Sequence, residues 1–144
     1  MPECPVYRVS ARFPQPGAVL DVVEIPFPLA NPGEITDRLA AAMTPQTRLL
    51  VIDQISSMTA LVMPVAEIAA MARQQDCLSL IDGAHAPGHI EFGVAALGAD
   101  FWVGNLHKWP CAPKGSAVLW AARDRHHLLH PPVISLRYGE GIHR

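Results

Sequence analysis

Short apolar runs alternate with amphipathic stretches along most of the chain. Five runs, rich in β-branched and other apolar residues, have the length of buried strands. They lie at residues 19–25, 49–53, 78–82, 101–104 and 117–120. Residues 33–43 and 64–73 instead combine good helix formers with apolar positions at helical spacing, and a proline begins the second of these stretches. The pattern therefore predicts five strands and two helices.

The order of these elements predicts the fold class. Apolar strands that alternate with helices form a largely parallel sheet covered by helices, so we predict an α/β fold. In such sheets, ligands bind beyond the carboxyl ends of the strands. Those ends carry Asp53, Asp82 and the residues that follow Gly104.

The composition fits one globular unit and argues against several partners. The chain has 144 residues, 50% of them hydrophobic and 17% charged, and a formal net charge of −2. Basic residues are scattered, so we expect no nucleic-acid partner. The cysteines, Cys4, Cys77 and Cys111, have neither a disulfide nor a metal-ligand spacing, which favours a reducing compartment. With no visible signal peptide and no apolar run of ~20 residues, we expect a soluble, cytoplasmic protein without a membrane partner.

Asp82 ends one of the apolar runs and precedes a turn of small residues that contains His85. A carboxylate that is buried without a partner is costly, so Asp82 requires hydrogen bonds or a cation. One interpretation is that Asp82 caps the following turn through the backbone amides of Gly83 and Ala84. The other is that it binds a cationic group in a cleft.

Lys108 is one of only two lysines and follows a buried apolar run. The other, Lys114, lies between Pro113 and Gly115, in a stretch typical of a solvated turn. A lysine amine in a partly desolvated site can attack an aldehyde and form a Schiff base. The alternative is that the Lys108 stem packs over Trp109 while its ammonium stays in water.

The two segments together favour a cofactor site. An acid after one strand and a histidine–lysine pair after the next would converge on one cleft. A pyridoxal 5'-phosphate (PLP) site requires this arrangement, because a lysine holds the aldehyde and an aspartate keeps the pyridine nitrogen protonated.

Four segments resemble the class V aminotransferase and cysteine desulfurase family, and most of all its isopenicillin N epimerase-like branch. They are Asp82-Gly83-Ala84-His85-Ala86-Pro87-Gly88, Leu97-Gly98-Ala99-Asp100-Phe101, Gly104-Asn105-Leu106-His107-Lys108-Trp109 and Ala112-Pro113-Lys114-Gly115. The resemblance runs from about Gly17 to Gly141. It implies the central part of the large domain of a fold-type I PLP enzyme, with three layers, a mainly parallel sheet and an antiparallel last strand.

The resemblance also implies roles for residues at matching positions. Lys108 would form the internal aldimine with the cofactor. Asp82 would pair with the pyridinium nitrogen, and His85 would hydrogen-bond the phenolic oxygen.

Four further positions would contact the cofactor according to the same resemblance. Asn105 and His107 match polar and histidine contacts to the phosphate. Ser56 and Ser57 match a polar contact to the ring edge, although Ala60 in that loop replaces a usual glycine.

The resemblance leaves parts of the family pattern without a match in the printed sequence. Two early strands, a glycine/threonine phosphate-binding turn and a small domain with a substrate-binding arginine have no counterpart. We therefore expect an irregular segment at 1–16, a partial PLP-binding large domain at 17–130, and an irregular tail at 131–144 that leads towards an absent C-terminal domain.

The family's chemistry implies an amino-acid substrate and an epimerase-, lyase-, desulfurase- or transaminase-like reaction. A complete version would be a homodimer, because family members dimerise near their active sites. The alternative is a non-catalytic fragment or partner subunit that keeps only the core of the fold.

Two other kinds of site are less consistent with the sequence. Asp82, His85 and His89 have a spacing that could bind a metal, but Pro87 and Gly88 interrupt it, so we expect no metal. A second histidine group comprises His126, His127 and His130, in a polar stretch typical of solvated surface. A serine hydrolase is disfavoured because no G-x-S-x-G motif is present.

Overall fold

The computed structural model describes residues 19–133, so the segment predicted at 1–16 and most of the tail predicted at 131–144 lie outside them. Two α-helices and four strands make up this part of the chain. They are α1 (Gly33–Ala42), β1 (Leu49–Asp53), α2 (Val65–Gln74), β2 (Leu78–Asp82), β3 (Phe101–Asn105) and β4 (Ala117–Ala121). Two short 3-10 helices, Val94–Leu97 and Arg123–Leu128, follow β2 and β4.

The four strands form one sheet in the order β1-β2-β3-β4. Strands β1, β2 and β3 are parallel, and β4 runs antiparallel to β3. The predicted α/β fold with a mainly parallel sheet and an antiparallel last strand is therefore confirmed.

The prediction of a strand at residues 19–25 is wrong. These residues have no regular secondary structure, and Val19 is 85% exposed, whereas Ile25 is buried against the core. A strand exists only where a neighbouring strand accepts its backbone hydrogen bonds. Within residues 19–133, the sheet provides no partner for this segment.

The hydrophobic core lies between one face of the sheet and the two helices. The sheet contributes Leu50, Ile52, Ile81 and Trp102, all at most 5% exposed. Helix α1 contributes Ile35 and Leu39, and helix α2 contributes Val65, Ile68, Ala69 and Ala72. Spacings of three and four residues place these side chains on one face of each helix. This is why the apolar pattern in the sequence predicted both helices.

The opposite face of the sheet is only partly covered. Its apolar residues alternate with the core residues along each strand, and Val51, Leu80 and Val103 are half-buried there. Both helices pack on the core face, so a second helical layer of the predicted three-layer arrangement is not found among residues 19–133. No helix in this range is long and apolar enough to cross a membrane.

Candidate active site

Polar side chains lie at the carboxyl ends of the three parallel strands. Asp53 ends β1, Asp82 ends β2 and Asn105 ends β3, and Asp53 pairs in register with Asp82. All three are half-buried, and strand alternation places them on the face opposite the helices. The edge of the sheet that was predicted to bind a ligand therefore carries two neighbouring carboxylates and an amide.

Asp82 makes one of the hydrogen bonds expected from the sequence. Its Oδ1 accepts a bond from the amide of Ala84 at 2.9 Å, while the amide of Gly83 donates to the carbonyl of Val103 at 2.7 Å. In the described part of the chain, Oδ2 of Asp82 accepts no hydrogen bond. Asp82 thus caps the turn with one oxygen and keeps the other available for a cation.

Lys108 lies in the loop after β3 and contacts the loop after β2. Its Nζ is 2.9 Å from Nε2 of His85, and both side chains are half-buried. Burial lowers the pKa of His85, and the positive charge of Lys108 lowers it further, while Asp82 acts in the opposite direction. A neutral imidazole with its proton on Nδ1 can accept a hydrogen bond from the Lys108 ammonium.

Asp53 belongs to the same electrostatic group, although sequence reasoning gave it no role. Burial raises its pKa, the neighbouring charge of Asp82 raises it further, and Lys108 opposes both effects. Its position at a strand end was the only sequence signal. The parallel register, which brings it beside Asp82, was needed to find it.

The indole of Trp102 packs closely under this edge of the sheet. A Cβ atom at Gly83 or Gly104 would overlap with its ring, so both positions require glycine. The indole nitrogen donates a buried hydrogen bond to Oε1 of Gln54 at 2.9 Å. Trp102 and Gln54 thereby fix the backbone next to Asp82 and Asp53, a role that no sequence motif indicated.

Trp109 lies beside the Lys108–His85 contact, with half of its surface exposed. Its ring centroid is 4.6 Å from that of His89 and 6.4 Å from that of His85. The aromatic contacts of Trp109 are therefore with the two histidines of the turn after β2, which fix one side of the site.

The predicted phosphate contacts lie near Lys108 in different settings. Asn105 is half-buried at the end of β3 and pairs with Ala117 of β4. His107 is exposed, with Nδ1 3.3 Å from the carbonyl oxygen of Ser116. Lys114 is exposed in a turn, as its sequence context predicted.

The Ser56 side chain is buried and forms hydrogen bonds within the loop after β1. It is 1% exposed, lies 2.5 Å from the hydroxyl of Thr59 and accepts a bond from the amide of Leu61 at 3.0 Å. Ser57 is exposed. Ala60 has φ of +54°, in the left-handed region that favours glycine, the residue that the resemblance implies for this position.

The histidine group after β4 lies apart from this site in the sequence. His126 lies with Nε2 3.2 Å from the carbonyl of Ala121, and His127 is exposed. No group of three or more histidine, cysteine, aspartate or glutamate side chains within residues 19–133 has an arrangement that could hold a metal ion.

Comparison with known families identifies the chain. The model of the class-V aminotransferase family matches residues 17–139, which is most of the sequence. The chain belongs to this family. Its members are PLP-dependent, and the resemblance of the four sequence segments is confirmed.

Similar curated proteins include enzymes with different reactions. The chain is 39% identical over 123 residues to an isopenicillin N epimerase of Amycolatopsis lactamdurans, a match that covers 85% of this chain and 31% of that protein. It is 34% identical over 144 residues to a putative L-cysteine desulfhydrase of Oryza sativa subsp. japonica, covering 93% of this chain and 30% of that protein. The chain thus spans about a third of the length of these relatives.

Solved structures agree with the fold. A cysteine desulfurase from Thermococcus onnurineus NA1 has a TM-score of 0.60 and 25% identity to this chain, over 72% of this chain and 25% of that structure. This likeness confirms the prediction of a fold-type I PLP-enzyme domain.

Proposed function

We propose that the chain is the cofactor-binding part of a PLP-dependent enzyme that acts on an amino acid, with Lys108 as the covalent attachment point. One observation carries the proposal: the Lys108 amine lies 2.9 Å from His85, beyond the strand that ends in Asp82. Asp82 at the end of β2, and His85 and Lys108 in the loops after β2 and β3, therefore lie at one edge of the sheet. The ionic and hydrogen-bonding groups of these residues fit the aldehyde and ring of the cofactor.

Each residue has a defined task in this proposal. Lys108 provides the amine that binds the aldehyde carbon. Asp82 uses its unbonded oxygen to hold a protonated ring nitrogen, while its other oxygen fixes the carboxylate to the Ala84 amide. His85, whose pKa is lowered by burial and by the charge of Lys108, would orient the Lys108 amine and could bond the ring hydroxyl.

The bound cofactor would supply an electron sink for bond cleavage at the α-carbon of an amino acid. The neighbouring residues would then control protons and orientation. Asn105 and His107, at the end of β3 and in the next loop, would bind the phosphate. Ser57, which is exposed after β1, would contact the ring edge, and Ser56 would hold that loop in place.

The proposed amino-acid substrate is supported by the relatives' names, which include an isopenicillin N epimerase and L-cysteine desulfhydrases. Because the chain spans about a third of their length, we propose this activity for a complete protein that contains this domain. We propose that the complete protein is a cytoplasmic homodimer. Light scattering of the full-length protein would test the dimer, and cell fractionation would test the location.

The covalent attachment can be tested with PLP and the purified chain. We expect an absorption band of the lysine–cofactor adduct, and after borohydride reduction one pyridoxyl group on the peptide that contains Lys108. Lys108→Ala should remove both signals. Lys114→Ala is the matched control, because Lys114 is the only other lysine and is exposed in a turn, and it should leave both unchanged.

The same experiment tests the competing proposal of a non-catalytic core fragment. That alternative is favoured by the limited share of the relatives that the chain covers. It requires that PLP gives no band, or that labelling is spread over both lysines and the amino terminus. Either result would contradict a cofactor site at Lys108.

A further inference from the structure

Asp53 lies next to the candidate cofactor site. It pairs in register with Asp82 on the neighbouring parallel strand, and strand alternation places both side chains on the same face. Within residues 19–133, the Asp53 carboxylate makes no hydrogen bond and no ion pair within 4 Å. The ionised form of a half-buried carboxylate is unfavourable beside another carboxylate, because like charges repel each other and burial removes water.

We infer that Asp53 is a positioning residue that acts through Asp82: its charge strengthens the binding of a protonated ring nitrogen by the Asp82 carboxylate. The inference rests on the proposed function and adds a residue to that site. Asp53 makes no salt bridge with Lys108, and it would act on the cofactor only through Asp82. It contributes negative potential at the point where Asp82 meets a cation.

The geometry of a parallel sheet makes this effect large enough to measure. Neighbouring strands are about 4.8 Å apart, so a cation held by Asp82 feels both carboxylates. At an effective dielectric constant of about 20, two opposite unit charges about 7 Å apart attract each other. Before solvent screening, this attraction strengthens the binding constant of the cation roughly fiftyfold. Because Asp53 is only half-buried, we expect screening to reduce its effect to about fivefold.

The charged groups around Asp53 support this assignment over a purely structural one. Asp82 and Lys108 are the groups whose charges act on Asp53, and His85 is influenced by the same two residues. Asp53 therefore interacts electrostatically with residues of the candidate site itself. A structural carboxylate at a strand end would instead be fixed by amides or by a cationic partner.

The inference can be tested with two cofactors that differ only at the ring nitrogen. Dissociation constants of the wild-type chain and of Asp53→Asn are measured for PLP and for 1-deaza-PLP, in which a C–H group replaces that nitrogen. We expect Asp53→Asn to weaken PLP binding about fivefold and binding of the analogue less than twofold. Asp37→Asn, on an exposed face of α1, is the matched control and should change neither constant.

The outcomes separate this inference from the proposed function. Equal weakening of both cofactors, or no weakening of either, would overturn the role of Asp53 while Lys108-dependent binding stands. Absence of Lys108-dependent PLP binding by the wild-type chain would overturn the proposed function and the inference with it. Asp53→Ser, checked by circular dichroism, provides a second neutral variant should Asp53→Asn fail to fold.

Discussion

The Nζ atom of Lys108 lies 2.9 Å from Nε2 of His85, although 23 positions separate the two residues in the sequence. The contact exists because β2 and β3 are parallel neighbours, which brings the loops after them to the same edge of the sheet. The positive charge of Lys108 at this distance disfavours the imidazolium, so the pKa of His85 depends on Lys108.

The titration of His85 should report this contact directly. Removing the ammonium in Lys108→Met should raise the pKa of His85, because a positive charge that disfavours the imidazolium is lost. Asp82→Asn should lower it, because the opposing negative charge is lost. NMR titration of the imidazole protons measures the direction of both changes. Lys114→Met should have no effect on His85; an equal shift there would contradict a local cause.

Asp53 should make the protein less stable as the pH rises. Its pKa is raised in the folded state, so the folded chain binds this proton more tightly than the unfolded chain. The resulting stability is complete below about pH 4, the unfolded pKa, and is lost as the pH rises through the folded pKa. At pH 7, Asp53→Asn should therefore gain about 0.5 kcal/mol of unfolding free energy after allowance for solvent screening. Urea unfolding at pH 3 and pH 7 tests this, and an equal gain at both pH values would contradict it.

Asp100 should have the opposite pH dependence. Burial alone would raise its pKa, but hydrogen bonds from Arg125 and Ser79 outweigh burial and lower it. The stability that results is present above the unfolded pKa of about 4 and is lost as the pH falls through the folded pKa. Asp100→Asn should be less stable than the wild type at pH 7, with the difference shrinking below pH 4.

The hydrogen bond from the Ser79 hydroxyl to Asp100 can be tested separately. The hydroxyl donates to Asp100 at 3.0 Å, and the Ser79 side chain is 1% exposed. Ser79→Ala should lower the free energy of unfolding by about 1–2 kcal/mol, because a buried carboxylate loses a donor. Thermal unfolding measures the loss, and a neutral result would show that water replaces the hydroxyl.

Gly83 should tolerate no side chain. An alanine Cβ there would overlap with the buried indole of Trp102, so Gly83→Ala should lower the free energy of unfolding by about 1–3 kcal/mol. Gly93→Ala is the control, because its nearest neighbour beyond the adjacent residues is 3.7 Å from the added atom. Chemical unfolding of both variants tests the difference, and comparable losses would argue against steric overlap with Trp102.

Ala60 offers a stabilising substitution. Its φ of +54° is disfavoured for a residue with a Cβ atom, so Ala60→Gly should raise the free energy of unfolding by about 0.5–1 kcal/mol. In contrast, Ala66→Gly, within helix α2, should lower it by about 1 kcal/mol. The melting temperatures of the two variants should therefore shift in opposite directions.

Much of the secondary structure could be predicted from local sequence. The strands Leu49–Asp53 and Leu78–Asp82 match their predicted bounds, because strands in a parallel sheet appear as short, continuous apolar runs. Residues 19–25 have similar composition but form no strand, because pairing depends on a neighbour that the local sequence does not specify.

The sequence by itself determined the family, the fold class, and the identity of Lys108, Asp82 and His85 as candidate site residues. It could do so because residue type, order and strand ends are local properties of the chain. The tertiary structure alone decided that Lys108 contacts His85, that Asp53 stands beside Asp82 and that Trp102 packs under Gly83. These relationships depend on strand register and on packing between distant segments, which no local pattern encodes.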